Sequence, residues 1–403
     1  MRECTYFLAL ITLLLINCNG LFAQSQTGEI NKRLEGIGFE NIRVIAFGKT
    51  VTVSYENNLF RNKAAALSEI LDSLVGCGYD TLKVVTLVND LPVIVSQIGA
   101  SAWKQYKAGM SSPVETCRLI NVSYNTDASW KKLFLMLPAN PHINKIDLVF
   151  YPQVAIMNVL YYKNYEVQLN IAPALEVSLW RGMKFTGQVI FPVVNDPRYG
   201  EVGDLTRAGF ITMAQEFRLP GSIQGRAVVG KFDSDRYGTD MTMTKFLFGG
   251  VSYVSANAGF TGTYHYVTGN WYREDLNTLT WFLKSGYYYK PYDLQLDVSA
   301  GRYLMGDYGL RGDCTRYWGE TSVGFFAMVA GGKFNGGFHF TVPIGPKRYK
   351  KNRFFQLRTP NYFNWEYNAG TEFVKGQYYR TRPNDNNVEH FYNPDLFTKT
   401  LLK

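Results

Sequence analysis

Residues 294–300 alternate without a break. Leu294, Leu296, Val298 and Ala300 are apolar or small; Gln295, Asp297 and Ser299 between them are polar, as is Asp293 before them. A period of two marks a β-strand with unlike faces. The same parity runs through Tyr165, Val167, Leu169 and Ile171 against Glu166, Gln168 and Asn170, and continues past Pro173 through Leu175, Val177 and Leu179. This predicts one long strand ending at Arg181-Gly182-Met183, with Lys184 to Phe191 returning beside it. Ala258, Phe260, Gly262, Tyr264 and Tyr266 repeat the pattern, as do Phe338, Phe340 and Val342 against His339 and Thr341. About twelve such segments fall between 146 and 343. Many approach the ~10 residues that a tilted membrane strand needs.

Residues 24–125 read differently. Ile42–Ala46 and Thr50–Tyr55 are strand-like, and Phe47-Gly48-Lys49 fits a tight turn between them. Leu67, Ile70, Leu71, Leu74 and Val75 then recur at helical spacing within 61–75, and Gly76 and Gly78 can end that helix. Leu82–Val88 and Val93–Ile98 are strand-like again. The pattern is a small α/β domain. Gly48-Lys49-Thr50 resembles the end of a phosphate loop, but position 43 is Arg and the turn joins two strands instead of opening a helix, which excludes nucleotide binding there.

Alternation alone fits either a soluble sandwich or a membrane barrel. Composition separates them. The 28 Tyr, 27 Phe and 7 Trp make up 15% of the 403 residues, and many sit at strand ends, where a barrel places its interface girdles. Tyr161, Tyr162, Tyr165 and Trp180 flank one strand, Tyr287, Tyr288 and Tyr289 end another, and Tyr264 and Tyr266 end a third. In a sandwich, Leu, Ile and Val should dominate the apolar face.

The N-terminus adds a secretory signal. Arg2 precedes the apolar run Phe7–Ile16, too short to span a bilayer, and Leu21-Phe22-Ala23 offers a cleavage site. The mature chain keeps a net charge of +9, because the signal carries one Arg and one Glu. After it no stretch of 18 apolar residues occurs, so a spanning chain must cross as a closed barrel, in the outer membrane of a double-membrane bacterium. Cys77, Cys117 and Cys314 remain; a Cys77–Cys117 bridge and buried free thiols are both open.

The expected fold is thus mainly β: an antiparallel transmembrane β-barrel of about 12 strands (140–345) after a signal peptide (1–23) and a small periplasmic α/β module (24–125), with a basic and polar extension over 346–403.

Ser299-Ala-Gly-Arg-Tyr-Leu-Met-Gly-Asp-Tyr-Gly309 resembles the barrel region of the YjbH/GfcD proteins, an outer-membrane family of exopolysaccharide and group 4 capsule production. Val189–Asp196, Tyr287–Pro291, Gly336–Ile344 and Arg358–Trp365 follow that family's order, and Gly38–Val44 with the helix after it resembles its N-terminal module. Many members are longer and carry further copies of these modules. The resemblance implies export or assembly of a surface polysaccharide, with outer-membrane lipid and other export proteins as partners.

Candidate chemistry follows from parity. Glu166, Gln168, Asp293, Gln295, Asp297, His265 and His339 fall on the polar, lumen-facing side. Strict parity would aim Arg302 at lipid, at a cost of ~2–4 kcal/mol in mid-bilayer. Either Gly301 hosts a bulge that flips the register, or Arg302 lies beyond the hydrocarbon edge. Both place Gly301, Arg302, Tyr303, Gly306, Asp307 and Gly309 at a lumen rim, where an Arg302–Asp307 pair is one structural reading. A polar, aromatic lumen suits a glycan strand; a plugged lumen would instead suit a scaffold. No Gly-x-Ser-x-Gly, H-E-x-x-H or Cys/His metal spacing accompanies His142, His265, His339 or His390, so neither enzyme nor cofactor is expected. A general pore or an adhesin-like barrel is the alternative, and a hydrolase built on a lumenal His comes third. Arg311-Gly312-Asp313 reads as a chance tripeptide. The basic run Pro346–Arg353 fits a solvated turn or a phosphate-bearing surface, and nucleic acid is no partner for an exported barrel. Arg380–Lys403 is expected to be loosely ordered.

Overall fold

A computed structural model describes residues 26–159, 163–196, 203–267, 270–350, 354–369, 375–383 and 393–403. The signal segment, Tyr161, Tyr162 and His390 lie outside the described residues, as do the side chains of Tyr165 and Tyr266.

The N-terminal sheet holds β1 (Glu40–Phe47), β2 (Thr50–Glu56), β3 (Thr81–Val88), β4 (Leu91–Gly99) and β5 (Asn121–Ser123), in that order. β2 and β3 are parallel, so the chain needs a crossover, supplied by α2 (Lys63–Leu74). Asn62 starts α2 by accepting the Ala64 and Ala65 amides, and its apolar stripe of Leu67, Ile70, Leu71 and Leu74 is fully buried. A helix over 26–37 (α1) adds Ile30 and Leu34 to the same core, and α3 (Ala100–Lys107) adds Trp103. α4 (Pro113–Leu119) begins with a capping box between Ser112 and Glu115. α5 (Asp127–Leu133) lies just beyond the predicted boundary at 125 and packs Leu133 against Val85, Leu87 and Val95 on the other face of the sheet.

The second sheet is large. It contains β6 (Ile146–Val159), β7 (Lys163–Trp180), β8 (Met183–Asn195), β9 (Arg207–Leu219), β10 (Ile223–Lys231), β11 (Arg236–Leu247) and β12 (Ser252–Val267). β13 (Asn270–Arg273) is a short branch on β12. β14 (Thr278–Tyr289), β15 (Leu294–Arg302), β16 (Tyr308–Trp318), β17 (Thr321–Ala330) and β18 (Lys333–Pro343) follow. Neighbours from β6 to β18 pair antiparallel in chain order. The fold is mainly β, dominated by this antiparallel sheet.

Two expectations need correction. Among the described residues the sheet has 15 strands: thirteen fall within 140–345, close to the twelve expected there, and two more lie in the stretch read as an extension. β19 (Phe355–Arg358) pairs parallel with β6, and β20 (Tyr362–Asn368) pairs antiparallel with β18. These are the sheet's two edges, yet only residues 359–361 separate them in the chain. Within the tail expected to be loosely ordered, residues 384–392 lie outside the described residues, but 393–403 are structured. α6 (Pro394–Leu401) sends Phe397, Leu401 and Leu402 into the core built around α2. Four or fewer apolar residues in a polar stretch give too weak a period to read.

The two faces of the large sheet are opposite in kind. On β15, Gln295 and Asp297 are each 3% exposed, whereas Val298 is 54% exposed. On β7, Glu176 and Asn170 are buried while Ile171 and Leu175 face out. On β17, Phe326 is buried opposite Asp313, and Phe325 faces out opposite Cys314. The buried face is polar and charged; the exposed face is aliphatic and aromatic.

Every connection at one end of this sheet bonds to the N-terminal module or to α6. The Gly182 amide donates to the Asn89 carbonyl, and Arg181 pairs with Asp90 at 2.8 Å. Ser222 donates to the Tyr124 carbonyl, and Asn393 to that of Gly250. Lys290 pairs with Asp395, and Lys399 with Asp293. Glu320 takes two 3.0 Å bonds from Arg61. The Tyr349 amide donates to the Leu59 carbonyl, and the Arg348 guanidinium to that of Ile37. The basic run around 346–350 therefore meets the module instead of standing free in solvent. Cys77, Cys117 and Cys314 are free thiols.

Candidate functional site: the polar buried face and its strap

Pleating puts every second residue of each strand on the buried face, and the unbroken antiparallel order lines these residues into sectors. In the first, Glu176 of β7 sits beside Asp147 of β6, receives the Tyr151 hydroxyl at 2.6 Å and pairs with Lys184; Arg358 of β19 reaches Asp147 at 3.0 Å. In the second, Asp297 accepts the Tyr253 hydroxyl at 2.6 Å and the Gln295 amide at 2.9 Å, with Lys284 at 3.4 Å. In the third, Arg311 binds Asp313 on its own strand and Glu366 on β20, stacked 3.9 Å over Phe326. His339 joins this group, with Nε2 3.4 Å from the Thr315 hydroxyl and 3.8 Å from Asp313. Gly324 makes that possible, since a Cβ there would lie 2.4 Å from the imidazole. Charges that are buried need partners of this kind, because an isolated one costs several kcal/mol.

Residues 375–383 lie along this face as a strap. They start at the end opposite the module, where the Gly376 amide donates to Asp307 and the Leu304 amide to the Gln377 carbonyl. Arg380 binds Asp233 through its backbone amide and its guanidinium. Tyr379 stacks on Phe232 at 5.3 Å and donates to Asp240 at 2.9 Å. Thr381 lies further along β10, receiving Arg226 at 2.7 Å. Asn393 and α6 stand at the module end, where Leu396 packs on Tyr288 and Tyr317.

Of the residues singled out in sequence, Gln295, Asp297, Glu166 and His339 lie on the buried face, and Gln168 donates to Asn195 at 3.4 Å. Asp293 departs from its expected strand position. It sits in the turn after β14 in the left-handed conformation and accepts the Tyr288 hydroxyl. His265 lies where β12 has left β14 and pairs with β13, stacked on Tyr272 at 5.9 Å, so it does not join His339. Tyr288 points to the buried face, unlike Tyr287 and Tyr289, so only two of that run can serve a girdle.

The proposed bulge at Gly301 is not there. Phe282, Gly301 and Gly309 stay in unbroken register, and the backbones pack so closely that a Cβ on Gly301 would lie 2.1 Å from the Trp281 carbonyl. Arg302 keeps its outward parity as the last residue of β15 and donates to the Leu279 carbonyl at 2.9 Å. Asp307 accepts from Gly376, so the two do not form the expected pair. Tyr303 is buried beside Phe282, and Gly306 takes the positive φ of the 303–307 turn.

Sequence reasoning passed over Arg311, Asp313 and Asp240, which parity alone could have assigned, and Glu366, Arg358 and Tyr379, whose elements have too little pattern. Among the described residues, no group of three His, Cys, Asp or Glu side chains is arranged to hold a metal, and no helix is long and apolar enough to cross a membrane.

No family model and no curated protein matches the sequence. Among solved structures, OmpTdeltaL8, a loop L8 deletion mutant of OmpT, an outer membrane protein of Vibrio cholerae, is similar over 56% of this chain and 94% of its own, at 10% identity and a TM-score of 0.29.

Proposed function

We propose that the chain is an outer-membrane β-barrel whose periplasmic mouth is capped by the N-terminal module, and that it serves export or assembly of a surface polysaccharide. The observation that carries the barrel is the inverted sheet: aliphatic side chains outside, paired charges inside. Leaving one Leu or Val in water forgoes ~1.5–3 kcal/mol, and repeating that on every strand would exceed a whole domain's stability. Against lipid the same face costs nothing. The edges β19 and β20 belong to one chain segment bent at 359–361, which supports closure of the sheet on itself. The five hairpin turns at the module end hold two to four residues, whereas the connections at the other end range from two (331–332) to eleven (196–206).

The polysaccharide role rests on the resemblance of Ser299–Gly309, and the lumen suits it. Tyr151, Tyr253 and Tyr379 bring aromatic rings beside Glu176, Asp297 and Asp240, chemistry that a sugar would meet once the strap has shifted. Cap and strap make the barrel gated, so transport requires both to shift. The test is a clean deletion with a complemented control, measuring surface and periplasmic polymer. A fall at the surface with periplasmic polymer retained supports export. Unchanged polymer in both fractions removes the polysaccharide role and leaves the barrel reading.

A further inference from the structure

We infer that one edge of the N-terminal module, built from Phe47, Lys131, Lys132, Phe134, Leu135 and Leu137, is a lipid-binding surface that seats in the headgroup region of the periplasmic leaflet. This rests on the outer-membrane reading and adds that the module holds the same membrane the barrel crosses.

Leu133 is fully buried at the end of α5. Immediately afterwards the pattern inverts. Leu135 is 84% exposed and Leu137 is 94% exposed, with Phe134 beside them and Phe47 83% exposed at the tip of the β1–β2 turn. Single exposed apolar residues are ordinary; a cluster within four positions of one linker is not.

This patch is continuous with the barrel's exposed face. The Arg181 guanidinium lies 4.4 Å over the Phe134 ring. Arg181 follows Trp180, which is half exposed at the rim and donates its indole N–H to Gln215 at 2.8 Å. Tryptophan at a barrel rim marks the membrane interface. The same linker runs on to Ile146, the exposed first residue of β6, so both its ends stand at that rim.

Charge fits the headgroups. Lys131 and Lys132 are exposed in the last turn of α5, and the Lys132 ammonium lies 5.7 Å over the Phe47 ring. Long cationic side chains can lay their stems along apolar surface while the ammonium meets lipid phosphate. Aromatic, leucine and lysine side chains in one strip match an interfacial anchor.

The test uses the full mature chain in proteoliposomes of phosphatidylethanolamine and phosphatidylglycerol, with Cys77, Cys117 and Cys314 replaced by serine. Nitroxide labels go singly on Leu137→Cys, Leu283→Cys and Met110→Cys. Leu283 faces out from the middle of β14, and Met110 is exposed beyond α3, on the opposite face of the small sheet. Collision rates with oxygen and with a water-soluble nickel chelate report depth. The expected order is Leu283 in hydrocarbon, Leu137 at headgroup depth and Met110 in water. If Leu283 reads as lipid and Leu137 matches Met110, the anchor is wrong, a protein-docking edge replaces it, and the barrel stands. If Leu283 also matches Met110, the barrel reading falls and takes the anchor with it.

Discussion

The Tyr379 hydroxyl donates to Asp240 over 2.9 Å and fills the space that a side chain on Gly259 would need, since a Cβ there would lie 1.6 Å from the tyrosine oxygen. A glycine in the middle of a strand weakens it, so Gly259 gives up some strand stability where it lets the strap lie flat on the wall. Gly259→Val should therefore lift the strap. Cleavage by trypsin at Lys375 and Arg380 in reconstituted protein should speed up several-fold, and single-channel conductance should rise. In a Tyr379→Ala background the same change should add little. Equal cleavage of Gly259→Val and the parent would show that the strap does not depend on this contact.

The inverted sheet makes opposite predictions for water and lipid. Leu283→Arg places a charge on the exposed face in the middle of β14, opposite Ala256 and Ala300. In a bilayer it should destabilise folding by ~2–4 kcal/mol, read as a lower urea midpoint in lipid vesicles. A soluble sheet would tolerate it within ~0.5 kcal/mol, because a surface substitution touches nothing.

Arg311 sits between two carboxylates, Asp313 and Glu366, and bridges β16 to β20 across two intervening strands. Arg311→Ala leaves two half-buried acids without their shared cation, at a cost of up to ~3 kcal/mol, less than for a fully buried pair. Glu366→Gln leaves Arg311 one full partner and should cost less than half as much. Thermal unfolding in detergent would rank the two. The reverse order would mean that Asp313 alone does not hold the arginine.

The cap should loosen in acid. Burial pushes the Glu320 carboxyl up, but the Arg61 hydrogen bonds and charge, with the Tyr362 hydroxyl, outweigh it and hold it below the usual carboxylate range. A depressed carboxylate stabilises the docked state above its undocked value, near pH ~4.3, and that contribution is lost as pH falls through the docked value. Hydrogen exchange at Arg61 and Tyr349 should stay slow at pH 7 and, after correction for intrinsic rates, quicken at pH 3. Arg61→Ala should bring the loosened state to neutral pH, at a cost of ~1–3 kcal/mol. Protection that does not change with pH would remove Glu320 from the docking.

The last helix is structural glue. Phe397 is 1% exposed in the core built around Leu67, Ile70 and Leu71, more than 320 residues earlier in the chain. Phe397→Ala should cost ~3–5 kcal/mol of module stability, visible as an early unfolding step by calorimetry while the transition of the large sheet is unmoved.

Gln295 and Asp297 show what local pattern can give. A strand's parity is fixed by its pleat, so once Leu296 and Val298 face out, the polar partners must face in, and the sequence states this without any fold. The helix at Lys63–Leu74 was equally legible, because its apolar stripe is local. Asp293 marks the first limit: it carries the right parity, but a left-handed turn residue obeys the turn and not the strand. Gly301 is similar, since only the register of three strands shows that Arg302 keeps its parity and ends at a rim.

The remainder belongs to the tertiary structure. Tyr379 meets Asp240 from 139 residues away, Glu366 meets Arg311 from 55, and Phe397 meets α2 from over 300. Residues 355–368 became the sheet's two edges because β6 and β18 lay open on either side of them, a vacancy no window of the sequence displays. The sequence by itself determined an alternating, two-faced sheet and a small α/β module. Which strands met, where the last helix lay and which turns the module bonded were decided by contacts between distant segments, whose gain is felt only once chain closure has brought them together.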